Sequence, residues 1–444
     1  MSFHRIYTLE SMSHRSNIII CPDCDLLISE RQSPLGYSMF CPRCGKRLRK
    51  RKKNSVQRAF VLSITGLLMY LPAVLLPLMT FKSLGFSDSA NVIESIVNFY
   101  QNDYYFVSLM VFLSAVVFPF LLLVLMFIIS FNLQHGSYPS FLPSLFRTYL
   151  RLEEWAMIEV YLLGIMITII KMVDSSEIVY QYGIFCFVCL VVLSLAISTI
   201  VDKEYFWQLI ETKGILNNKK KIILPENVSF EITTGLKQNL TICHTCKKIL
   251  STIHDGKDCP LCGSKIHSRI PGSIGKTWAL IFTSIILILP ANLLPIMEVD
   301  FLGVPDKSTI LDGIIYFFQH GSFFIGLVIF TASILVPLFK IIGLSILLFS
   351  TRPCATKYLR NKTIMYRSIA FIGRWSMLDI FVIALLTTLV DFGFFTSIYA
   401  APAATYFCLV VASTMFAAMT FDPRIMWDDC TQSQPNSTLK KHLP

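Results

Sequence analysis

Residues 72–79 read PAVLLPLM, and 218 positions later residues 290–297 read PANLLPIM, with six of the eight positions identical. Each copy closes an uncharged apolar run about as long as the 20 residues that a helix needs to cross a bilayer core. The echo continues outward. At the same offset Phe99, Gln101 and Pro119 match Phe317, Gln319 and Pro337; at an offset of 220, Trp155, Met157, Asp202 and Trp207 match Trp375, Met377, Asp422 and Trp427. The chain is therefore one unit written twice.

Apolar runs of span length fall at about 60–80, 104–131, 155–173 and 183–201, and again at 277–297, 323–349, 375–390 and 402–421. Composition agrees: 54% of the 444 residues are hydrophobic and 15% charged, where soluble domains carry about 25% charge. An ordinary soluble enzyme is excluded. With both termini in the cytosol, cytosolic segments hold 35 Lys and Arg, and outer loops hold Lys82 and Lys307 alone. That asymmetry is the positive-inside signature. The first 20 residues carry Arg5, Glu10 and Arg15 rather than a signal-peptide pattern, so the N-terminus is expected to stay inside. Four spans per copy keep both copies in one orientation, a parallel repeat.

Ahead of each set of spans stands a cysteine cluster: Cys21, Cys24, Cys41 and Cys44 before the first, Cys243, Cys246, Cys259 and Cys262 before the second. Two CxxC knuckles aimed at one point make the tetrahedral sulfur cage that zinc favours, and Gly45 and Gly263 suit the tight turns. Rubredoxin-type iron uses the same ligands, and disulfides are a third chemistry, though the thiols fall on the expected reducing side. Four thiolates leave no open position, so the metal, two zinc ions per chain, is expected to be structural. The expected fold class is an all-α polytopic membrane protein of two parallel repeats, each a four-cysteine zinc ribbon followed by a four-helix transmembrane bundle. The expected domains are a ribbon with basic linker (1–53), a bundle (54–205), a linker with the second ribbon (206–272), a second bundle (273–428) and a cytosolic tail (429–444).

Three further features carry chemistry. Cys186 and Cys189 share a helical face within a span, as a membrane thiol oxidant would need, although small apolar filling explains them as well. Residues 46–53, KRLRKRKK, place seven cations just before the first span, where they fix topology and meet anionic headgroups. Nucleic-acid binding by a tethered ribbon scaffold is the alternative. Lys340 is the strongest candidate: a charge within lipid is costly, and Ser333, Pro337 and Lys340 at i, i+4 and i+7 share one face. Asp379, four residues into the following span, can pair with it, and Ser376 and Thr414 can complete the hydrogen bonding; the pair is either a helix-locking ion pair or a titrating switch. In the first half Glu159 matches Asp379 but Leu122 stands where Lys340 stands, while Lys171 and Asp174 lie at the outer end of that span.

The ribbons, PANLLPIM, ILDGI (310–314), ASILVPLFK (332–340), GRWSMLDIFV (373–382) and FDPRIMWD (421–428) resemble the paraquat-inducible protein A family, PqiA with its relative LetA, over nearly the whole chain, and the closing FDPRIMWD is more similar to PqiA. The resemblance implies a tetraspanin-like bundle and a Gram-negative inner-membrane subunit. It also implies a partner, an MCE-domain tunnel protein of the PqiB or LetB kind, and a phospholipid or other envelope lipid as cargo. It implies proton relay by Lys340, Asp379, Lys171 and Asp174 with Ser333, Ser376 and Thr414; Glu159 departs from the Asp expected there. No P-loop, GxGxxG or HExxH is present, so no enzyme is expected.

Overall fold

The computed structural model describes residues 18–29, 37–50, 52–83, 86–153, 155–156, 158–172, 177–214, 234–301, 304–319, 323–351, 358–373, 381–382 and 396–428. The described chain opens with two short hairpins, β1 (Ile18–Ile20) with β2 (Leu27–Ser29) and β3 (Ser38–Phe40) with β4 (Arg47–Lys50). Then α1 (Ser55–Leu75) ends at PAVLLPLM, because Pro77 has no N–H with which to continue the ladder. The chain turns into β5 (Met79–Ser83) and β6 (Phe86–Ala90), followed by α2 (Val92–Gln101), whose N-cap Asn91 accepts from the Glu94 amide.

The second span is α3 (Tyr105–Val111) and α4 (Phe118–Gln134), joined without a break by a π-helical stretch, Phe112–Val117. An amphipathic α5 (Leu142–Leu152), then α6 (Ile158–Met172), β7 (Glu177–Tyr180), α7 (Tyr182–Ile200) and α8 (Lys203–Gly214) complete the first half. The second half repeats the order: β8 (Leu240–Ile242) and β9 (Ile249–Ser251), α9 (Ser273–Leu293), β10 (Met297–Phe301), β11 (Val304–Ser308), α10 (Ile310–Gln319), α11 (Phe323–Phe330), a π-helical Thr331–Leu335, α12 (Val336–Phe349), α13 (Leu359–Ile372), β12 (Thr396–Ala400) and α14 (Ala403–Thr420). At the end of the spans away from the cysteine clusters each half folds a small antiparallel sheet, β6-β5-β7 in one and β11-β10-β12 in the other.

The repeat extends to single hydrogen bonds. The Ser55 hydroxyl accepts from the Asp202 amide at 2.9 Å, and Ser273 accepts from Asp422 at the same distance, tying the first and last helices of each half together. Both π turns lie just before a proline, Pro119 and Pro337, where a missing N–H loosens the α register.

Among the described residues six helices are long and apolar enough to span a membrane: Ser55–Leu75, Tyr105–Gln134, Tyr182–Ile200, Ser273–Leu293, Gly326–Phe349 and Ala403–Asp428. This is a multi-pass membrane protein. The third expected span appears as α6, only 15 residues long. The seventh, 375–390, lies outside the described residues except for Phe381 and Val382, both helical, and Phe381 packs edge-on against Tyr161 of α6 at 5.3 Å.

The two cysteine clusters cross over. The first is buried with Ile341, Leu344, Ile369 and Trp427 of the second half, whereas the second shares a core with the spans of the first half.

Candidate functional site

All four knuckles have one backbone pattern. The first cysteine amide donates to the carbonyl five residues on (Cys21 to Leu26, Cys41 to Lys46, Cys243 to Lys248, Cys259 to Ser264), and the amide four residues on returns to the cysteine carbonyl. The returning residue needs positive φ. Gly45 and Gly263 supply it at φ 72° and 67°, as expected from the sequence, but Asp25 and Lys247 adopt it too, at 59° and 57°. The eight thiols are buried, and within each cluster the sulfurs lie within 4.8 Å of one another.

Cys21 and Cys44 stand 3.5 Å apart, as do Cys24 and Cys41; Cys243–Cys262 and Cys246–Cys259 are 3.5 and 3.6 Å. A disulfide needs about 2.05 Å, so that reading is excluded, and all eight are free. A tetrahedral ion with metal–sulfur bonds of about 2.3 Å separates its sulfurs by about 3.8 Å, close to what is seen. Each cluster can therefore hold one metal ion with no vacant position.

Around the sulfurs lie groups the sequence did not single out. Arg367 of α13 donates to the Cys44 carbonyl at 3.0 Å, to its sulfur at 3.1 Å and to Asp23 at 2.7 Å. Arg147 of α5, 220 positions earlier, donates to the Cys262 carbonyl at 3.1 Å. Equivalent arginines thus hold the last cysteine of opposite clusters. Only the 220-residue offset signals it.

The closing FDPRIMWD stretch fastens the layer. Asp422 pairs with Arg424 at 2.7 Å, Arg424 reaches His244 Nε2 at 2.9 Å, and Asp428 takes Arg269, which also meets Asp25 at 3.0 Å. Burial and the adjacent Arg424 charge depress His244, leaving its ring an acceptor. Burial opposes the charge on Arg269, but Asp428 and Asp25 outweigh it and hold its pKa above the ordinary range.

The basic stretch is partly spent at home. Lys46 pairs with Asp23, Arg49 with Glu204 at 3.4 Å and the Gln208 side chain at 2.9 Å, and Lys52 with the Thr199 and Val201 carbonyls.

Within the second half Lys340 is fully buried, and its ammonium donates to Thr414 Oγ1 at 3.1 Å. Ser333 is buried on the same span and its hydroxyl turns back to the Ile329 carbonyl at 2.8 Å. A polar seam that the sequence reading missed runs between α9 and α14: Ser284 meets Ser413 at 2.7 Å and Thr277 meets Thr420 at 3.2 Å. At the matching offsets the first half has Gly66, Leu193, Ala59 and Ile200, all apolar. Asp379, Ser376 and Asp174 lie outside the described residues. Lys171 is the penultimate residue of helix α6 and Glu159 its second, half-buried beside Leu122 and Ser194. Cys186 and Cys189 are half-buried and exposed on α7, both as free thiols.

A family model described as paraquat-inducible protein A matches twice, at residues 56–211 and 274–431. The chain belongs to the paraquat-inducible protein A family. The double match has the same offsets as the internal echo, so the family unit is the set of spans without its cysteine cluster. The chain is 33% identical over 424 residues, 95% of itself and 98% of the relative, to an Escherichia coli protein named intermembrane transport protein PqiA. It is 32% identical to the E. coli lipophilic envelope-spanning tunnel protein A over 92% of itself and 90% of that protein, and 28% identical to a probable intermembrane transport protein of Haemophilus influenzae over 92% and 95%. No solved structure matches it.

Proposed function

We propose that this protein is the inner-membrane subunit of a lipid transport system in the Gram-negative envelope, working with an MCE-domain tunnel protein to load or unload phospholipid or another envelope lipid. The relatives support it: each printed name is that of an intermembrane transport protein or an envelope-spanning tunnel protein, and the likeness covers nine-tenths of the chain or more. On this reading each half has four spans, a tetraspanin-like bundle with both termini cytosolic, and 206–272 carries the second ribbon. Zinc is the ion for both clusters, since buried four-thiolate cages with no vacant position suit a structural role. Nothing in the transport step is a covalent reaction of this chain, so the protein is not an enzyme.

The observation that carries the mechanism is the buried Lys340 on Thr414. A fully buried lysine needs a reason to stay, and a proton-coupled relay with Asp379, supported by Ser333 and Ser376, is that reason. The first half, with Glu159, Lys171 and Asp174, then acts chiefly as scaffold, which fits the loss there of the α9–α14 polar seam. Asp379→Asn and Lys340→Gln keep shape and lose charge. In cells lacking redundant transporters, both variants are expected to reach normal membrane abundance and bind the tunnel partner, yet to fail under envelope stress. Normal growth at normal abundance would leave only a helix-locking pair.

A further inference from the structure

α14 is the most buried of the six long helices, with 56% of its apolar window covered against 28% for α7, its counterpart in the first half. It is covered because it packs on α9, α12 and α13 and, across the molecule, on α3. Where the halves meet they leave a crevice of about 330 Å³, within the roughly 300–1,000 Å³ typical of small-ligand sites. Met110, Phe118 and Trp155 wall it from the first half; Cys408 and Met415 wall it from the second.

Besides Trp155 and Cys408, two residues of the lining carry a polar group. The Ser114 hydroxyl is already spent on the Met110 carbonyl at 2.7 Å. The other is Arg151, in the last turn of α5, exposed and without a hydrogen bond or ion pair among the described residues. An apolar slot inside a bilayer fills with hydrocarbon rather than water, because an empty one forfeits dispersion contacts on every wall. Arg151 borders this almost wholly apolar slot, and a guanidinium beside it selects what that hydrocarbon is attached to, since its planar fork matches a phosphate.

We propose that this crevice holds one acyl chain of a glycerophospholipid whose phosphate is bound by Arg151. The site is separate from Lys340, which meets α14 through Thr414. The assignment rests on the lipid-transport reading for its purpose, but its test reads binding alone, so transport can stand while this site fails.

The experiment uses the full chain in nanodiscs with two photoactivatable probes, a phosphatidylethanolamine and a diacylglycerol, each with a diazirine on one acyl chain. The phosphatidylethanolamine adducts are expected to concentrate on peptides spanning 110–118 and 408–415, above those on the exposed α9 face at Leu289 and Leu293. Ala412→Phe and Leu152→Phe fill the crevice from opposite walls and should each cut these adducts by about fivefold. Arg151→Gln, a change at an exposed position that leaves folding intact, should cut the phosphatidylethanolamine adducts by about threefold and leave diacylglycerol adducts unchanged. Adducts spread evenly over lipid-facing residues, or an Arg151→Gln effect equal for the two probes, would overturn the assignment.

Discussion

Lys340 and Thr414 show how one hydroxyl can decide whether a charge is tolerated. The threonine already bonds back to the Val411 carbonyl at 3.0 Å, so its oxygen is fixed in place to accept from the ammonium. Thr414→Val keeps the volume and removes the acceptor; it should lower stability by about 1–3 kcal/mol in a thermal-shift assay, the cost of leaving a buried donor unsatisfied. Lys340→Met combined with it should recover much of that loss, because the pair is then apolar on both sides. Glu204, at the start of α8, runs the other way. Burial raises its carboxyl pKa, with Lys247 and Arg49 opposing and not prevailing. A carboxyl raised in the folded state contributes stability at low pH that is lost as pH rises through its folded value. Glu204→Gln should therefore raise the melting temperature at pH 7.5, and the gain should vanish as pH falls to the ordinary carboxylate range near 4. A gain that persisted at low pH would refute the electrostatic explanation.

The elements divide into those that local rules fix and those that they do not. Four knuckles share one hydrogen-bond pattern, and a structural metal contributes on the order of 10 kcal/mol to units too small for a core of their own. Purified protein should carry about two zinc ions per chain, and Cys41→Ser about one, by elemental analysis. Where each knuckle's stability is felt follows from the crossing. Because Arg147 of α5 holds Cys262, Cys259→Ser should speed amide exchange in Leu142–Leu152 and leave Leu359–Ile372 protected, with Cys41→Ser doing the reverse. The opposite pattern would mean that each cluster serves its own half. Both π turns precede prolines at matching positions, and in the second half the turn lies between Ile329 and Lys340, so Ser333 and Lys340 reach the buried side by a wider winding than ideal i+7 spacing assumes.

At the scale of the whole molecule, the crossing makes the cysteine-cluster layer a strap between two sets of spans. Halves expressed separately, cut within 215–233, should still copurify through Arg367 on the first cluster and Arg147 on the second. Arg147→Glu with Arg367→Glu should abolish or strongly weaken that association, measured by pull-down from membranes. The sequence alone determined the repeat, the two four-cysteine clusters, most of the spans and Lys340 as an outlier, because each of these is written in local hydrophobicity, in short spacing or in the cost of a charge in lipid. It also excluded the soluble classes through composition. Only the tertiary structure decided which half each cluster stabilises, that Arg147, Arg367, Arg269 and Arg424 hold them, and that α14 is central while α7 faces outward. These contacts join residues 100 or more positions apart, as Arg147 to Cys262 and Arg367 to Cys44 do. A repeat predicts two like units, but equal patterns in the two halves fit a cluster lying over its own spans as well as one lying over the other's, and only packing of the specific side chains selects between them.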